Sequence, residues 1–424
     1  MIYTQETIFN NKEIDFLERE NFIKQVLLCE KAHFGPETPL NFSVLLSDRT
    51  KTLQGKSAKN YRWTISKIVS NSNGKHSLHI FDCYVGDSLL VGLEQLNEPP
   101  CKSLANDPIN NYIFLFDNKE SIYVLSGKIE EKWAHMKDMN SRTIGILNLN
   151  STRKNPILYC FNTTNGPILL VAGGYSEVKK MVFQPLQDIL VFSCNFSEFN
   201  NLPYLKIKMR YPRPEPMIGH IKYEEKSEEE TKVFKRLYIF GGVNDLVLKI
   251  LKPSNQEKKY LLEGNSFCET IVLEDIEAEL LKVKVMNQSN SRVLDLIEIQ
   301  TNKTFEVTGD NVFMKKIPSL ARGAILKYFN KTSSRKCLLM IGVGQKKQKF
   351  YEMSYIDEKG QKVQMVLRGK LAAENKFLGN HMVCMKNHYL CYLIDKNEDS
   401  TYYKLDLVSN EKSMVFCKIN CSIF

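Results

Sequence analysis

The sequence predicts an all-β repeat protein, and two observations carry that prediction. From about residue 37 onwards, short runs rich in Val, Ile, Leu, Tyr and Phe alternate with clusters of Asn, Ser, Lys, Gly and Asp. Most runs are about 5–9 residues long, which is a length typical of strands. Several of them end in glycine at a regular spacing, which indicates a recurring unit. Strands do not alternate with helical patterns, which argues against a doubly wound parallel sheet.

The glycine-ended strands define the repeat. They share an apolar or aromatic run that stops at one or two glycines: Gly241 and Gly242 after Leu237–Phe240, Gly173 and Gly174 after Pro167–Ala172, and Gly342 and Gly344 in the run Lys336–Gly344. Their spacings, 68 residues from Gly173 to Gly241 and 101 from Gly241 to Gly342, scatter around one or two multiples of ~50, the length of a four-stranded propeller blade. We expect the glycines to allow φ > 0 and close backbone approach where the chain turns. They would shape the blade and bind no ligand.

The first residues predict a separate N-terminal region. A short strand at residues 2–9 is followed by an amphipathic helix from Glu13 to about Ala32, and Gly35-Pro36 ends that helix. We therefore divide the chain into residues 1–36, a strand and a helix, and residues 37–424, a β-propeller. Seven blades are favoured, with six as the alternative, and a strand from either end of the chain would close the ring.

The composition limits the classes of function. Hydrophobic content of 43% and aromatic content of 10% are globular values. The net charge is +10, but the cations are spread along the chain, which argues against a nucleic-acid footprint. Eleven cysteines without a Cys-x-x-Cys pair indicate small buried side chains in a reducing compartment. With neither a secretory signal nor an apolar run of about 18 residues, we expect a cytoplasmic protein.

A second pattern precedes the best glycine-ended strand. Tyr211-Pro-Arg-Pro-Glu-Pro-Met-Ile-Gly-His220 places Arg213 and His220 ahead of it, and Arg322 and Gly323 precede the Gly342 strand. This order resembles a kelch repeat. The resemblance implies a non-catalytic scaffold or adaptor that contacts other proteins through loops on one face of a propeller. It also implies a subunit of a larger assembly, with cytoskeletal association or recognition of ubiquitin-ligase substrates as examples.

Charged loops near these strands are candidate partner contacts. Glu224–Glu230 is an acidic insertion, and Gly344–Lys349 is basic. The side chains in question are Glu224, Glu225, Glu228, Glu229 and Glu230 in the first loop and Lys346, Lys347 and Lys349 in the second. Most such charge runs are solvated loops, so a role in binding is a hypothesis about these surfaces.

One cluster has residue types that ligate zinc: His381, Cys384, His388 and Cys391. A tight hairpin with its turn at Lys386-Asn387 is the favoured reading, because strand alternation does not bring the four side chains together. We therefore predict no metal, no cofactor and no catalytic residue. Two alternatives stay open: an enzyme that uses the central cavity of the propeller, and a nucleic-acid or ribonucleoprotein binder that uses the net positive charge.

Overall fold

The structure is a computed structural model, and it describes a large part of the chain between residues 64 and 419. The described ranges are 64–70, 75–82, 88–96, 104–107, 112–128, 135–163, 166–179, 182–194, 205–226, 231–242, 248–249, 252–264, 267–278, 297–300, 303–306, 308–309, 321–330, 335–343, 349–355, 363–370, 376–385, 389–396, 399–406 and 417–419. The predicted N-terminal strand and helix lie outside these ranges.

Strands make up most of the described residues. In chain order they are β1 (Thr64–Ser70), β2 (His76–Asp82), β3 (Ser88–Gly92), β4 (Leu104–Asp107), β5 (Tyr112–Phe116), β6 (Ser121–Ser126), β7 (Thr143–Asn148), β8 (Ile157–Thr163), β9 (Gly166–Ala172), β10 (Tyr175–Lys179), β11 (Val182–Pro185), β12 (Asp188–Ser193), β13 (Leu205–Lys208), β14 (Met217–Lys226), β15 (Thr231–Phe240), β16 (Phe267–Val272), β17 (Ile297–Gln300), β18 (Lys303–Glu306), β19 (Thr308–Gly309), β20 (Ala321–Asn330), β21 (Arg335–Val343), β22 (Lys349–Tyr355), β23 (Val363–Lys370), β24 (Lys376–Met385), β25 (Tyr389–Lys396), β26 (Asp399–Asp406) and β27 (Cys417–Ile419). The helices are α1 (Met139–Arg142) and α2 (Asn255–Gly264), and residues 273–278 are also helical.

These strands form six sheets and one separate hairpin among the described residues. The strand orders are β1-β2-β3, β4-β5-β6-β7, β8-β9-β12-β13-β17, β14-β15-β16-β18, β20-β21-β22-β23-β19 and β24-β25-β26-β27, with the hairpin β10–β11. Neighbouring strands are antiparallel except for β13–β17 and β19–β23, which are parallel. A mostly antiparallel β protein with few helices confirms the all-β prediction.

Successive sheets meet through their first strands. Strand β4 contacts β8, β8 contacts β14, β14 contacts β20, and β20 contacts β24. Apolar residues fill the spaces between neighbouring sheets; one cluster joins Phe114 and Ile122 to Leu169 and Phe192. Sheets that meet in sequence order in this way are arranged like the blades of a propeller, which protects most sheet edges from solvent.

Three local features differ from the sequence prediction. Glu224 and Glu225 do not lie in a loop, because β14 continues through Lys226 and pairs these residues with Val233 and Lys232 of β15. The chain gains strand β4 and the hairpin β10–β11, neither of which the periodicity predicted. It also gains helix α2. These elements are short or polar, so alternation of apolar residues could not reveal them.

The cysteines that the structure describes in detail agree with the prediction of burial. Cys160, Cys194, Cys268 and Cys337 are buried free thiols. Cys160 and Cys194 had been expected to be small core residues. Within the described ranges, none of the helices has the length and apolar character needed to cross a membrane.

Candidate functional site

A buried arginine holds the linker that enters the β14 sheet. Arg213 lies four residues before β14, and its Nε donates to Glu269 Oε1 at 3.0 Å. Its Nη1 donates to the carbonyl of Gly241 at 2.9 Å, where β15 has just ended. Glu269 also accepts from the backbone N–H groups of Arg210 and Tyr211. The linker is thus fixed to the second and third strands of its own sheet by charge-assisted hydrogen bonds.

The linker into the preceding sheet repeats this arrangement around Arg153. Its Nη1 donates to the carbonyl of Gly173 at 3.0 Å, just after β9, and its Nη2 donates to Asp188 Oδ1 of β12 at 2.9 Å. Burial lowers the pKa of the Arg153 guanidinium, and the Asp188 carboxylate opposes that shift. Two successive sheets therefore use a linker arginine that bonds both the carbonyl of the first glycine after the second strand and a carboxylate of the third strand.

Each linker also bonds to the sheet that it leaves. The N–H groups of Leu149 and Arg153 donate to the carbonyls of Glu120 and Lys119, at 2.8 and 2.6 Å. In the next linker, the N–H groups of Met209 and Arg213 donate to the carbonyls of Gln187 and Leu186, at 2.8 and 3.0 Å. Because each linker is bonded to the sheet on either side, this end of the molecule is a continuous, preorganised surface.

The glycine pairs lie at the same end, beneath the linkers. Gly173 and Gly174 have φ of 58° and 85°, and Gly241 and Gly242 have φ of 66° and 101°. A Cβ on Gly174 would lie 2.5 Å from the Lys154 carbonyl oxygen. A Cβ on Gly173 would overlap the Arg213 carbonyl oxygen. The glycines thus combine a left-handed backbone with close approach of the linkers.

Hairpin β10–β11 rises from this end of the molecule and is anchored through Tyr175. The N–H and C=O of Tyr175 exchange hydrogen bonds with Lys154, at 2.9 and 2.8 Å. Its phenol donates to Glu215 Oε1 at 3.2 Å and accepts from Asn155 Nδ2 at 3.2 Å. Since Asn155 and Glu215 belong to different linkers, one side chain ties the hairpin to both.

The far side of the hairpin is exposed. Val178 is 58% exposed and occupies a bulge, since Glu177 pairs with Phe183 and Lys179 with Val182. Lys154 lies beside this strand, with Nζ 3.3 Å from Glu177 Oε2 and 5.4 Å from the centre of the Phe183 ring. The hairpin thus presents one exposed apolar side chain beside a salt bridge, on a fixed base.

A polar contact between Tyr159 and His220 joins β8 and β14, the first strands of two neighbouring sheets. The Tyr159 hydroxyl and His220 Nδ1 are 2.6 Å apart, and both residues are buried. Burial raises the pKa of the Tyr159 phenol, while a hydrogen bond with the His220 backbone acts in the opposite direction. His220 therefore lies in the interface between the β8 sheet and the β14 sheet.

The other residues predicted from the sequence are dispersed. Arg322 lies in β20, Gly342 in β21, and Lys349 begins β22. Glu228, Glu229, Glu230, Gly344, Lys346 and Lys347 lie outside the described residues. The predicted hairpin between His381 and Cys391 is formed by β24 and β25, in which Cys384 pairs with Leu390 and Val383 with Cys391. His388 is not among the described residues, and those that are contain no metal-type cluster of three His, Cys, Asp or Glu side chains.

Sequence reasoning missed Arg153, Asp188 and Glu269. A signal for Arg153 was present, because Arg153-Lys-Asn-Pro156 and Arg213-Pro-Glu-Pro216 share arginine and proline at the same spacing before a first strand. Asn155 and Glu215, just before each proline, both adopt positive φ, of 48° and 55°. The carboxylates carry no such signal, since they lie 35 and 56 residues from their arginines.

Comparisons with known proteins add little to this description. No protein-family model matches the chain, and no curated protein matches it. Among solved structures, it is similar to the WD40 domain of SCAP from fission yeast, with 11% identity, coverage of 82% of each chain and a TM-score of 0.31. At that TM-score, the fold description stands on the sheets and their contacts alone.

Proposed function

We propose that this chain is a kelch-like β-propeller that acts as a non-catalytic scaffold or adaptor for other proteins. Two consecutive linkers support the resemblance to kelch repeats. Each contains an arginine, a residue with positive φ and a proline, and each is bonded to a glycine-ended strand. We extend the proposal to membership of a larger assembly, cytoskeletal or otherwise, which the resemblance implies, and to a cytoplasmic location, which the cysteine composition favours.

The described sheets support a ring of at least six blades. The repeat spacing favours a seventh. Either number leaves the linkers and the glycine turns at one end of the ring, where hairpin β10–β11 stands.

The exposure of Val178 is the observation that carries the proposal for a contact site. A β-branched apolar side chain at 58% exposure does not stabilise the fold where it stands. Its base is held by Tyr175 and two linkers, so binding would cost little conformational entropy. We place the partner contact at the bulge of β10, with the pair Lys154–Glu177 at its border.

Affinity purification from native cells with a matched pair of variants tests this function. Val178→Asp puts a charge on the proposed contact, and Leu262→Asp puts the same charge on α2, where Leu262 is also exposed at 40%. We expect a protein that co-purifies stoichiometrically with the wild type and with Leu262→Asp, and that is lost with Val178→Asp.

Two results would contradict the proposal. If the same proteins co-purify with the wild type and with both variants, hairpin β10–β11 is not the partner contact. Steep salt-dependent binding of purified chain to RNA would instead favour the nucleic-acid alternative.

A further inference from the structure

The outer edge of the β4 sheet has features that edge strands normally avoid. Strand β7 is the last strand of this sheet, and among the described strands it pairs with β6 alone. Its sequence, Thr-Ile-Gly-Ile-Leu-Asn, contains no charged residue, and Ile144 and Ile146 are 43% and 42% exposed. Edge strands in soluble proteins usually carry lysine or proline that discourages pairing with another chain. An uncharged edge with exposed isoleucines is therefore suited to accept a strand.

The chain itself extends two other outer strands in this way. Strand β17 adds to β13, and β19 adds to β23, and both additions are parallel. In the first of them, the register places Glu298 opposite Lys206. The outer edges of these sheets thus accept a parallel fifth strand, and in one case the added strand brings the charge opposite to that of the edge.

The surroundings of β7 favour a negative charge at the end where the strand begins. Arg142, the residue before β7, donates to the carbonyls of Ser126, Lys128 and Met136 at 3.0, 2.8 and 2.6 Å, so it fixes those segments beside the strand. Lys128 and Lys137 are exposed there. The nearby carboxylate of Asp138 accepts from the N–H and hydroxyl of Ser141 at 2.9 and 2.7 Å and keeps its negative charge, so two positive charges stand against one negative charge there.

We propose that β7 binds an extended segment of a partner protein as a parallel fifth strand, acidic at its start and then alternating in apolar residues. The acidic residues would lie beside Lys128 and Lys137, and the apolar ones beside Ile144 and Ile146. Main-chain hydrogen bonds provide affinity in such strand addition, and alternate side chains provide specificity. This surface and hairpin β10–β11 lie on different sheets, so either proposal can fail without the other.

The test selects ligands from a phage-displayed library of random peptides on the full chain. Ile146→Lys is the negative variant, because it adds an edge lysine at an exposed position, and Leu262→Lys, which adds the same charge at an exposed position of α2, is the matched control. We expect enriched peptides with Asp or Glu before alternating apolar residues. A synthetic copy of one, measured by fluorescence anisotropy, should bind Ile146→Lys at least about tenfold more weakly and Leu262→Lys unchanged. Ile144→Lys should weaken binding too, and circular dichroism verifies that each variant is folded.

Hydrogen exchange locates the peptide and shows whether the edge is already covered. We expect the amides of Thr143–Asn148 that do not pair with β6 to exchange quickly in the free protein and slowly with peptide bound. The proposal is overturned if those amides are already protected in the free chain, or if no peptide depends on Ile146. Enrichment of basic peptides would also overturn it, as would a concentration-dependent dimer in sedimentation that Ile146→Lys abolishes, since the edge would then pair with a second copy.

Discussion

Arg213 and Glu269 form an ion pair at 3.0 Å in which only 1% and 0% of the two side chains are exposed. The pair joins the linker before β14 to β16, the third strand of the same sheet. Glu269 accepts further hydrogen bonds from the linker backbone, and Arg213 donates to Gly241. Because every bond crosses from the linker to the sheet, the pair determines where the chain enters this sheet.

Loss of one partner of this buried pair should be strongly destabilising. In Arg213→Met the Glu269 carboxylate stays buried without its guanidinium, and we expect a loss of about 3–5 kcal/mol in the free energy of unfolding. Urea denaturation followed by tryptophan fluorescence and circular dichroism measures it. Glu94→Gln is the control, because Glu94 pairs with Lys75 at 2.7 Å but both side chains are more than half exposed. That variant should leave the unfolding midpoint nearly unchanged, and equal effects of the two substitutions would contradict the importance of burial.

Alanine at Gly173 should destabilise through the backbone. Gly173 has φ of 58°, and a Cβ would meet the Arg213 carbonyl and, at 2.9 Å, Pro216 Cδ. The left-handed conformation alone costs about 1–2 kcal/mol for a residue with a Cβ, and the overlap adds to it. Gly92→Ala is the matched control, since Gly92 has ordinary φ and its nearest neighbour to a Cβ would be the Lys137 carbonyl oxygen at 3.8 Å. We expect thermal unfolding to show a clear drop for Gly173→Ala and little change for Gly92→Ala; a similar drop in both would contradict this account.

The sequence was sufficient for the continuous apolar strands and insufficient for the short or polar strands and for what connects them. The run of β12, Asp188–Ser193, is continuous and apolar between polar residues, which is the pattern that predicts a strand. Hairpin β10–β11 was not predicted, since Tyr175–Lys179 contains more polar than apolar residues and its anchoring phenol bonds to residues of distant linkers. The sequence did not predict that β17 adds to the β8 sheet as its fifth strand, because a parallel pair of strands is not joined by a short turn that the sequence could reveal. Contacts between linkers and sheets join residues that are distant in the sequence, and the periodicity of apolar residues does not predict such contacts.

Removal of the Tyr159 hydroxyl should weaken the contact between the β8 and β14 sheets. His220 Nδ1 would lose its partner at 2.6 Å in a buried site, so Tyr159→Phe should cost about 1–3 kcal/mol. Tyr123→Phe is the control, because the Tyr123 ring packs on an apolar cluster and is only partly buried. Thermal denaturation of the two variants measures the difference. An unchanged midpoint in Tyr159→Phe would show that water replaces the phenol at His220.

Alkaline pH should destabilise the fold partly through Cys268. Burial raises the pKa of this thiol to about 12, whereas an unfolded cysteine titrates near ~8.5. Because the folded pKa is the higher one, the stabilising contribution is fully present below ~8.5 and decreases as pH rises from there towards 12. We expect the free energy of unfolding of the wild type to fall between pH 8 and pH 10, measured by urea denaturation at a series of pH values. Over the same range, the fall should be less steep in Cys268→Ala, which has no thiol to ionise at that position.

Thiol reactivity gives a second measurement of the same burial. Iodoacetamide at about pH 9 should modify Cys268 only at the rate of unfolding, because the thiolate forms only when the chain opens. Peptide mass spectrometry identifies the modified cysteine, and addition of urea provides the control, since it should make labelling fast. Rapid labelling of Cys268 in the folded protein, or identical pH profiles for wild type and Cys268→Ala, would show that the thiol is accessible and that β16 is packed less tightly than the structure has it.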